Sequence, residues 1–244
     1  MKPIYEPKGK AKEYGDYAIN IYTGCPHRCY YCFAPNVLRR DKEVFHGHVE
    51  PRLGIVEAVK KQIEKDGITG KLIHLCFTCD PYPTGYDSSA TREIIKILKE
   101  TGNHVQILTK GDGCLDFDLL DENDWYGITY SGYPRETWMK PPISEPGSCC
   151  PLKRLACLEE AYRSGIKTWI SFEPVLDDND VLELLRYLPW YIGRVKIGKL
   201  NYHPSDIDWA EFGRKAESIC KAQGIEYYIK DSLRKEMEKN DAGR

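Results

Sequence analysis

Gly24-Cys25-Pro26-His27-Arg28-Cys29-Tyr30-Tyr31-Cys32-Phe33 is the stretch on which the fold turns. Its cysteines stand at spacing C-x3-C-x2-C, directly after a short β-like run, Tyr17-Ala18-Ile19-Asn20-Ile21-Tyr22. Three thiolates on one tight loop can hold three irons of a cubane, and a [4Fe–4S] cluster usually takes four cysteines. With three nearby, one iron keeps a position for a non-protein ligand. Such an open position separates a reactive metal site from a closed structural one. Cys25, Cys29 and Cys32 are therefore the candidate metal ligands. A zinc knuckle and disulfides are the alternatives. Zinc sites pair a C-x2-4-C with a second cysteine or histidine pair, whereas His27 sits inside the loop.

The chain has 244 residues, a hydrophobic fraction of 41% and a formal net charge of −2. That length suits one α/β domain, here residues 1–244, with a core at 17–200 and a C-terminal extension at 201–244. No run of about 18 apolar residues is present, so no membrane span is expected. Residues 1–16 carry lysines without an apolar stretch and do not read as a secretory signal. The near-neutral charge gives no global basic bias towards nucleic acid and leaves a local basic face open. Ten cysteines would suggest a disulfide scaffold in a small secreted chain. Here the length, the missing signal and the cysteine loop point to a reducing cytoplasm. The 17 tyrosines read as pocket walls or core packing.

Strand-like runs at 17–22, 71–78, 104–109, 125–131, 167–173, 192–199 and 225–230 alternate with helical ones. The helical runs are 52–66, 88–101, a short 115–121, 151–164, 178–187 and 206–222, with a charged helical tail at 231–244. Residues 36–51 read as irregular. The proline-bearing 132–150 reads as a loop over the site. This alternation argues for parallel β/α units and hence an α/β fold: a partial (β/α)6 TIM-like barrel with a seventh short strand. Such sheets bind ligands at the carboxyl ends of their strands. The polar residues there are Asp80, Lys110, Ser131, Glu173, Lys199 and Asn201.

A C-x3-C-x2-C loop with an aromatic residue, Tyr31, before its last cysteine resembles the signature of the radical S-adenosylmethionine (SAM) superfamily. The resemblance covers about residues 17–200. It implies a (β/α)6 partial barrel with the cluster loop after the first strand and one [4Fe–4S] cluster whose open iron chelates SAM. It further implies reductive cleavage of SAM to methionine and a 5′-deoxyadenosyl radical that abstracts hydrogen from a substrate. Carried onto this sequence, it places Tyr31 and Phe33 near the adenine, Asp80 on the SAM amino group and Ser131 on the ribose. Glu173 contacts SAM or substrate, unless it forms a salt bridge to Lys199 or Arg194. Lys110, Lys199 and Asn201 are candidates for a carboxylate or phosphate. The superfamily's Gly-Gly-Glu run is missing, and Asp80 has a plainer reading as an Asx-turn.

Thr78-Cys79-Asp80-Pro81-Tyr82 is one residue off the T-D-P-Y pattern of the spore photoproduct lyase-like branch. With Leu108-Thr109-Lys110 and Phe172-Glu173-Pro174, the chain is most similar to that branch and to related phage-type proteins. The branch implies lyase-type chemistry on nucleic acid or a nucleotide, fed by an electron donor such as flavodoxin or ferredoxin. It also uses a cysteine near this point as hydrogen donor, which makes Cys76 a catalytic candidate against plain core packing. Strand alternation puts Cys76, Thr78 and Asp80 on one face and Cys79 on the other. Cys114, Cys149, Cys150, Cys157 and Cys220 form no array for a second cluster, and His46 and His48 read as loop histidines. Two other functions compete: radical SAM modification of a peptide or small metabolite, and a non-catalytic iron–sulfur or zinc protein.

Overall fold

A computed structural model describes residues 2–241, so Met1 and the last residues of the expected tail helix, 242–244, lie outside the described residues. Seven parallel strands form one sheet in chain order: β1 (Tyr17–Ile19), β2 (Leu72–Leu75), β3 (His104–Thr109), β4 (Trp125–Thr129), β5 (Lys167–Phe172), β6 (Arg194–Ile197) and β7 (Glu226–Ile229). Two short helices, α1 (Ala34–Leu38) and α2 (Lys42–Gly47), follow the cysteine loop and precede α3 (Ile55–Asp66). The later helices are α4 (Ser89–Glu100), α5 (Pro151–Arg163), α6 (Asp178–Arg186), α7 (Trp209–Gln223) and α8 (Asp231–Asp241). The expected partial barrel is present, and β7 pairs with β6 as the seventh strand.

Period-two alternation sorts the side chains of the sheet. One set, including Ile73, Leu75, Val105, Ile107, Tyr126, Ile128, Ile170, Phe172, Val195 and Ile197, joins a single hydrophobic cluster with helix residues such as Ile94, Leu98, Leu158 and Leu185. The alternate set lines the lumen in register: His74 beside Gln106, Leu108 beside Gly127, Gly127 beside Trp169, and Ser171 beside Lys196. Trp169 Nε1 donates to the Ile107 carbonyl at 3.0 Å. A Cβ on Gly127 would stand 2.2 Å from that nitrogen, so the indole occupies space that only glycine leaves.

The edges of the sheet, β1 and β7, do not pair with each other. The N-terminal segment, a 3-10 turn at Gly9–Glu13 followed by Tyr14, reaches into the lumen. Lys196 Nζ donates to the Glu13 carbonyl at 2.7 Å and Gln106 Nε2 to the Tyr14 carbonyl at 2.8 Å. The Tyr14 ring lies 5.5 Å from His74 and 6.0 Å from Trp169.

Three local expectations change. Residues 36–51 are largely helical, because Pro35 starts α1 and the Asp41 carboxylate caps α2 by accepting from Val44 N at 2.9 Å. The helix expected at 115–121 is a 3-10 turn, Cys114–Leu119. The strand expected at 71–78 stops at Leu75, because Cys76 turns left-handed at φ 69°. Among the described residues no helix is long and apolar enough to cross a membrane.

Gly127→Ala should destabilise the fold by about 1–3 kcal/mol through overpacking. Chemical denaturation would show a lower midpoint at an unchanged slope; an unchanged midpoint would mean that Trp169 repacks freely.

Candidate active site

The cysteine loop leaves the sheet after β1 and is held by its backbone. Asn20 Oδ1 accepts from Phe77 N at 2.8 Å and Thr78 N at 2.9 Å, which ties the start of the loop to the end of β2. A Cβ on Gly24 would stand 2.2 Å from the Phe45 carbonyl oxygen, so α2 packs directly on the loop backbone. Cys25 N donates to that carbonyl at 3.2 Å, and His46 Nδ1 donates to the Cys25 carbonyl at 2.8 Å. Cys29 is buried while Cys25 and Cys32 are half-buried, and none is in a disulfide. Among the described residues, the ligand sets converging within 4.8 Å are Asp112/Cys114/Cys157 and His104/Asp121/Asp124. Burial pushes all three loop thiols up, Cys29 to about 12, so a bound cation is what would hold them as thiolates.

Inside the loop, His27 is 1% exposed and pairs Nε2 with Thr84 Oγ1 at 3.1 Å. Its Nδ1 lies 3.5 Å from Asp80 Oδ2. Burial lowers His27 to about 4 against the opposing pull of Asp80, so the ring is neutral at neutral pH. The Asp80 carboxylate also accepts from Thr109 Oγ1 at 2.5 Å, Lys110 N at 2.9 Å and Tyr82 N at 2.9 Å. It thus ties β2, β3 and the cysteine loop together. The Tyr82 bond, two residues on, is the Asx-turn expected as the plainer reading.

The loop at 132–150 packs against the cysteine loop. Tyr30 N donates to the Ser144 carbonyl and Gly147 N to the His27 carbonyl, both at 3.1 Å. A Cβ on Gly147 would stand 2.1 Å from the Pro26 carbonyl oxygen, so the two backbones touch. Between them lies an ion pair, Glu145 with Arg154, at 2.5 Å and fully buried on both sides. Glu145 also accepts from the Tyr31 hydroxyl, from Ser131 Oγ at 3.3 Å and from the Tyr133 hydroxyl at 2.9 Å. Lys110 Nζ sits 5.6 Å over the Tyr31 ring. Burial alone would lower the lysine, but the neighbouring Cys29 and Glu145 outweigh it and hold Lys110 raised.

A second polar group forms where the N-terminal segment meets the ends of β5, β6 and β7. The Glu173 carboxylate accepts from the Tyr14 hydroxyl at 2.8 Å, from Lys230 and from Asn201 Nδ2 at 3.5 Å. Its ion pair is therefore with Lys230, not with Lys199 or Arg194 as read from sequence. Lys199 pairs with Glu236 of α8 at 2.5 Å, and Arg194 with Glu226 at 2.6 Å. Burial, then Arg194 and Lys230, lowers Lys196 to about 8.

The strand-end row thus divides in two: Asp80, Lys110 and Ser131 gather at the cysteine loop, Glu173 and Asn201 at the N-terminal segment. Phe33 is exposed at the start of α1. Cys76 joins the hydrophobic core beside Cys79, so the left-handed turn brings together two cysteines that alternation had separated. Tyr30 and Tyr202 stand exposed beside the loop; the Tyr30 ring lies 5.3 Å from His203, and Lys10 sits 4.8 Å over Tyr202.

Glu145, Arg154, Tyr133, Tyr14 and Lys230 belong to no motif in the sequence. Only Arg154 carried a signal, a charge on the buried stripe of α5 between Pro151 and Leu158.

A family model described as the radical SAM superfamily matches residues 19–188. An uncharacterized protein of Methanocaldococcus jannaschii is 31% identical over 166 residues, which cover 66% of this chain and 61% of that protein. An uncharacterized protein of Acidianus two-tailed virus is 31% identical over 191 residues, 73% of this chain and 62% of that protein. The chain thus matches about three fifths of the length of these curated relatives. A spore photoproduct lyase complexed with dinucleoside spore photoproduct shares the fold at TM-score 0.67 and 14% identity, over 92% of this chain and 79% of that one.

Burial would raise Glu145, but Arg154 and Lys110 hold it down, from 4.5 to about 2. A depressed folded value means that the ionised carboxylate stabilises the fold fully above the unfolded value, and that this contribution is lost as pH falls towards 2. In urea unfolding across acid pH, the stability gap between wild type and Glu145→Gln should shrink below the ordinary carboxylate range; a constant gap would contradict the assignment. Arg154→Met, which strands the carboxylate, should cost about 3–5 kcal/mol at neutral pH.

Proposed function

This chain belongs to the radical SAM superfamily, whose members use a [4Fe–4S] cluster and SAM, and from that premise we propose that it generates a 5′-deoxyadenosyl radical to act on a nucleic acid or nucleotide. The observation that carries this reading is the cysteine loop itself. Three thiols free of disulfides sit on a loop that follows the first strand of a parallel sheet and is held by backbone contacts. When bound, the cluster supplies the electron that cleaves SAM to methionine and the radical that takes hydrogen from the substrate.

The protein's own residues hold and orient. Cys25, Cys29 and Cys32 would hold three irons, and His46, donating to the Cys25 carbonyl, fixes the loop. Asp80, held by Thr109, Lys110 and Tyr82 and set 3.5 Å from His27, braces the loop and would offer its remaining accepting position to the SAM amino group. Tyr31 and Phe33 would flank the adenine, and Ser131, which donates to Glu145, would contact the ribose. Glu173, with Tyr14 and Lys230 as partners, receives the polar end of SAM or substrate. Lys199, tied to Glu236, stands at the rim for a substrate phosphate. Cys76, in the core, packs.

The substrate class is favoured by the aromatic and basic residues beside the loop. Tyr30, Tyr202 and His203 offer faces on which bases stack, and Lys10, over the Tyr202 ring, offers charge to a backbone. Residues 1–244 act as one domain in the cytoplasm, where flavodoxin or ferredoxin donates the electron.

Anaerobically purified protein should contain iron and sulfide and, with dithionite and SAM, release 5′-deoxyadenosine; Cys29→Ser should lose both. Zinc in place of iron, with no 5′-deoxyadenosine, would overturn the reading. Binding of a short oligonucleotide should weaken steeply with salt. Absent or salt-insensitive binding would return the peptide or small-metabolite reading.

A further inference from the structure

Behind the wall of the site, the turn after β3 meets helix α5 through two more cysteines. Cys114 opens the 3-10 turn Cys114–Leu119, and Cys157 lies on the buried face of α5. Their sulfurs are 2.6 Å apart. Non-bonded heavy atoms settle at about 3.5–4 Å, and a disulfide bond is about 2.05 Å. Asp112 completes the group: its Oδ1 lies 3.6 Å from Cys157 Sγ and accepts from Cys114 N at 3.2 Å. Its other oxygen pairs with Lys153 at 3.2 Å.

We propose that Cys114 and Cys157 are an oxidisable dithiol, closed to a disulfide by exchange with a low-molecular-weight disulfide, that staples the β3–β4 turn to α5. The same three side chains could be read as a metal site, since their ligand atoms lie within 4.8 Å of one another. The geometry favours the covalent bond. Thiolates about 2.3 Å from a tetrahedral ion stand about 3.8 Å apart, so a metal would have to force these sulfurs apart by about 1 Å. Closing to a bond takes about half that movement. The Asp112 carboxylate is already engaged by Lys153 and a backbone N–H. Among the described residues, no fourth ligand joins the set.

Exposure sets the order of the exchange. Cys114 is half-buried and Cys157 is 1% exposed. The Cys114 thiolate attacks one sulfur of the external disulfide, forms a mixed disulfide and expels one thiolate. Cys157, whose S–H points to Asp112, then attacks Cys114 Sγ and expels the second thiolate. The two thiol protons end on the two released small thiols. The protein gives up two electrons and the external disulfide takes them.

The staple matters because of what its ends carry. Two residues before Asp112 stands Lys110, over the Tyr31 ring. Three residues before Cys157, on the same helix, stands Arg154, paired with Glu145. Oxidation therefore locks together the two segments that bracket Tyr31.

The test uses the full chain with its cluster, equilibrated anaerobically in glutathione buffers from reducing to oxidising, acid-quenched, alkylated and mapped by peptide mass spectrometry. A peptide cross-linked between Cys114 and Cys157 should appear as the buffer becomes oxidising and vanish with dithiothreitol. Cys220→Ser should keep it and Cys157→Ser should abolish it. Oxidised wild type should melt higher than reduced wild type, with no such difference in Cys157→Ser. The proposal is overturned if both thiols stay alkylatable in the most oxidising buffer, if Cys114 links to Cys149 instead, or if the protein carries zinc that Cys114→Ser removes.

Discussion

A guanidinium shut off from water survives only if each of its N–H groups finds an acceptor. Arg154 meets that condition through the carbonyls of Cys149 and Thr129, the hydroxyls of Tyr133 and Ser148, and the Glu145 carboxylate. These partners come from the end of β4 and from the loop over the site, while Arg154 itself sits at the start of α5. Through Glu145 the network continues to Tyr31 of the cysteine loop. One buried charge thus dictates where four separate segments must sit. Removing either partner leaves an uncompensated ion in a dry interior, which is why the arrangement is rigid.

Asp80 does the same on the other side of the loop. It engages a hydroxyl and an amide from the end of β3, an amide from its own turn and the His27 ring. The cysteine loop is therefore clamped between two carboxylates, Glu145 paired with a cation and Asp80 held by hydrogen bonds. The clamp leaves the three sulfurs as the part of the loop without protein partners of comparable strength, which suits them to an exogenous metal.

The lumen is filled differently. An open sheet exposes two edges, and here the N-terminal segment, not a strand, occupies the space within, with Tyr14 against His74 and Trp169 and with Glu13 and Tyr14 carbonyls taken by Lys196 and Gln106. Polar side chains can line this lumen because the segment brings them backbone acceptors. Glu173, Lys230 and the Tyr14 hydroxyl then close its upper end.

Local pattern alone was enough for the β/α alternation, the parallel sheet, the seventh strand and the chemical character of the cysteine loop. Strand and helix periods and cysteine spacing are properties of near neighbours in the chain. It also marked Glu173 as a strand-end residue, because Pro174 stops β5 locally, whereas Asp80 lies five residues beyond the end of β2. Who pairs with whom was decided only by the tertiary structure. Glu173 meets Lys230 rather than Lys199, and Glu145 meets Arg154. Cys76 folds back on Cys79 through one left-handed residue. Buried charges choose partners by distance after burial, and that distance depends on how the whole chain packs, which no short stretch of sequence encodes.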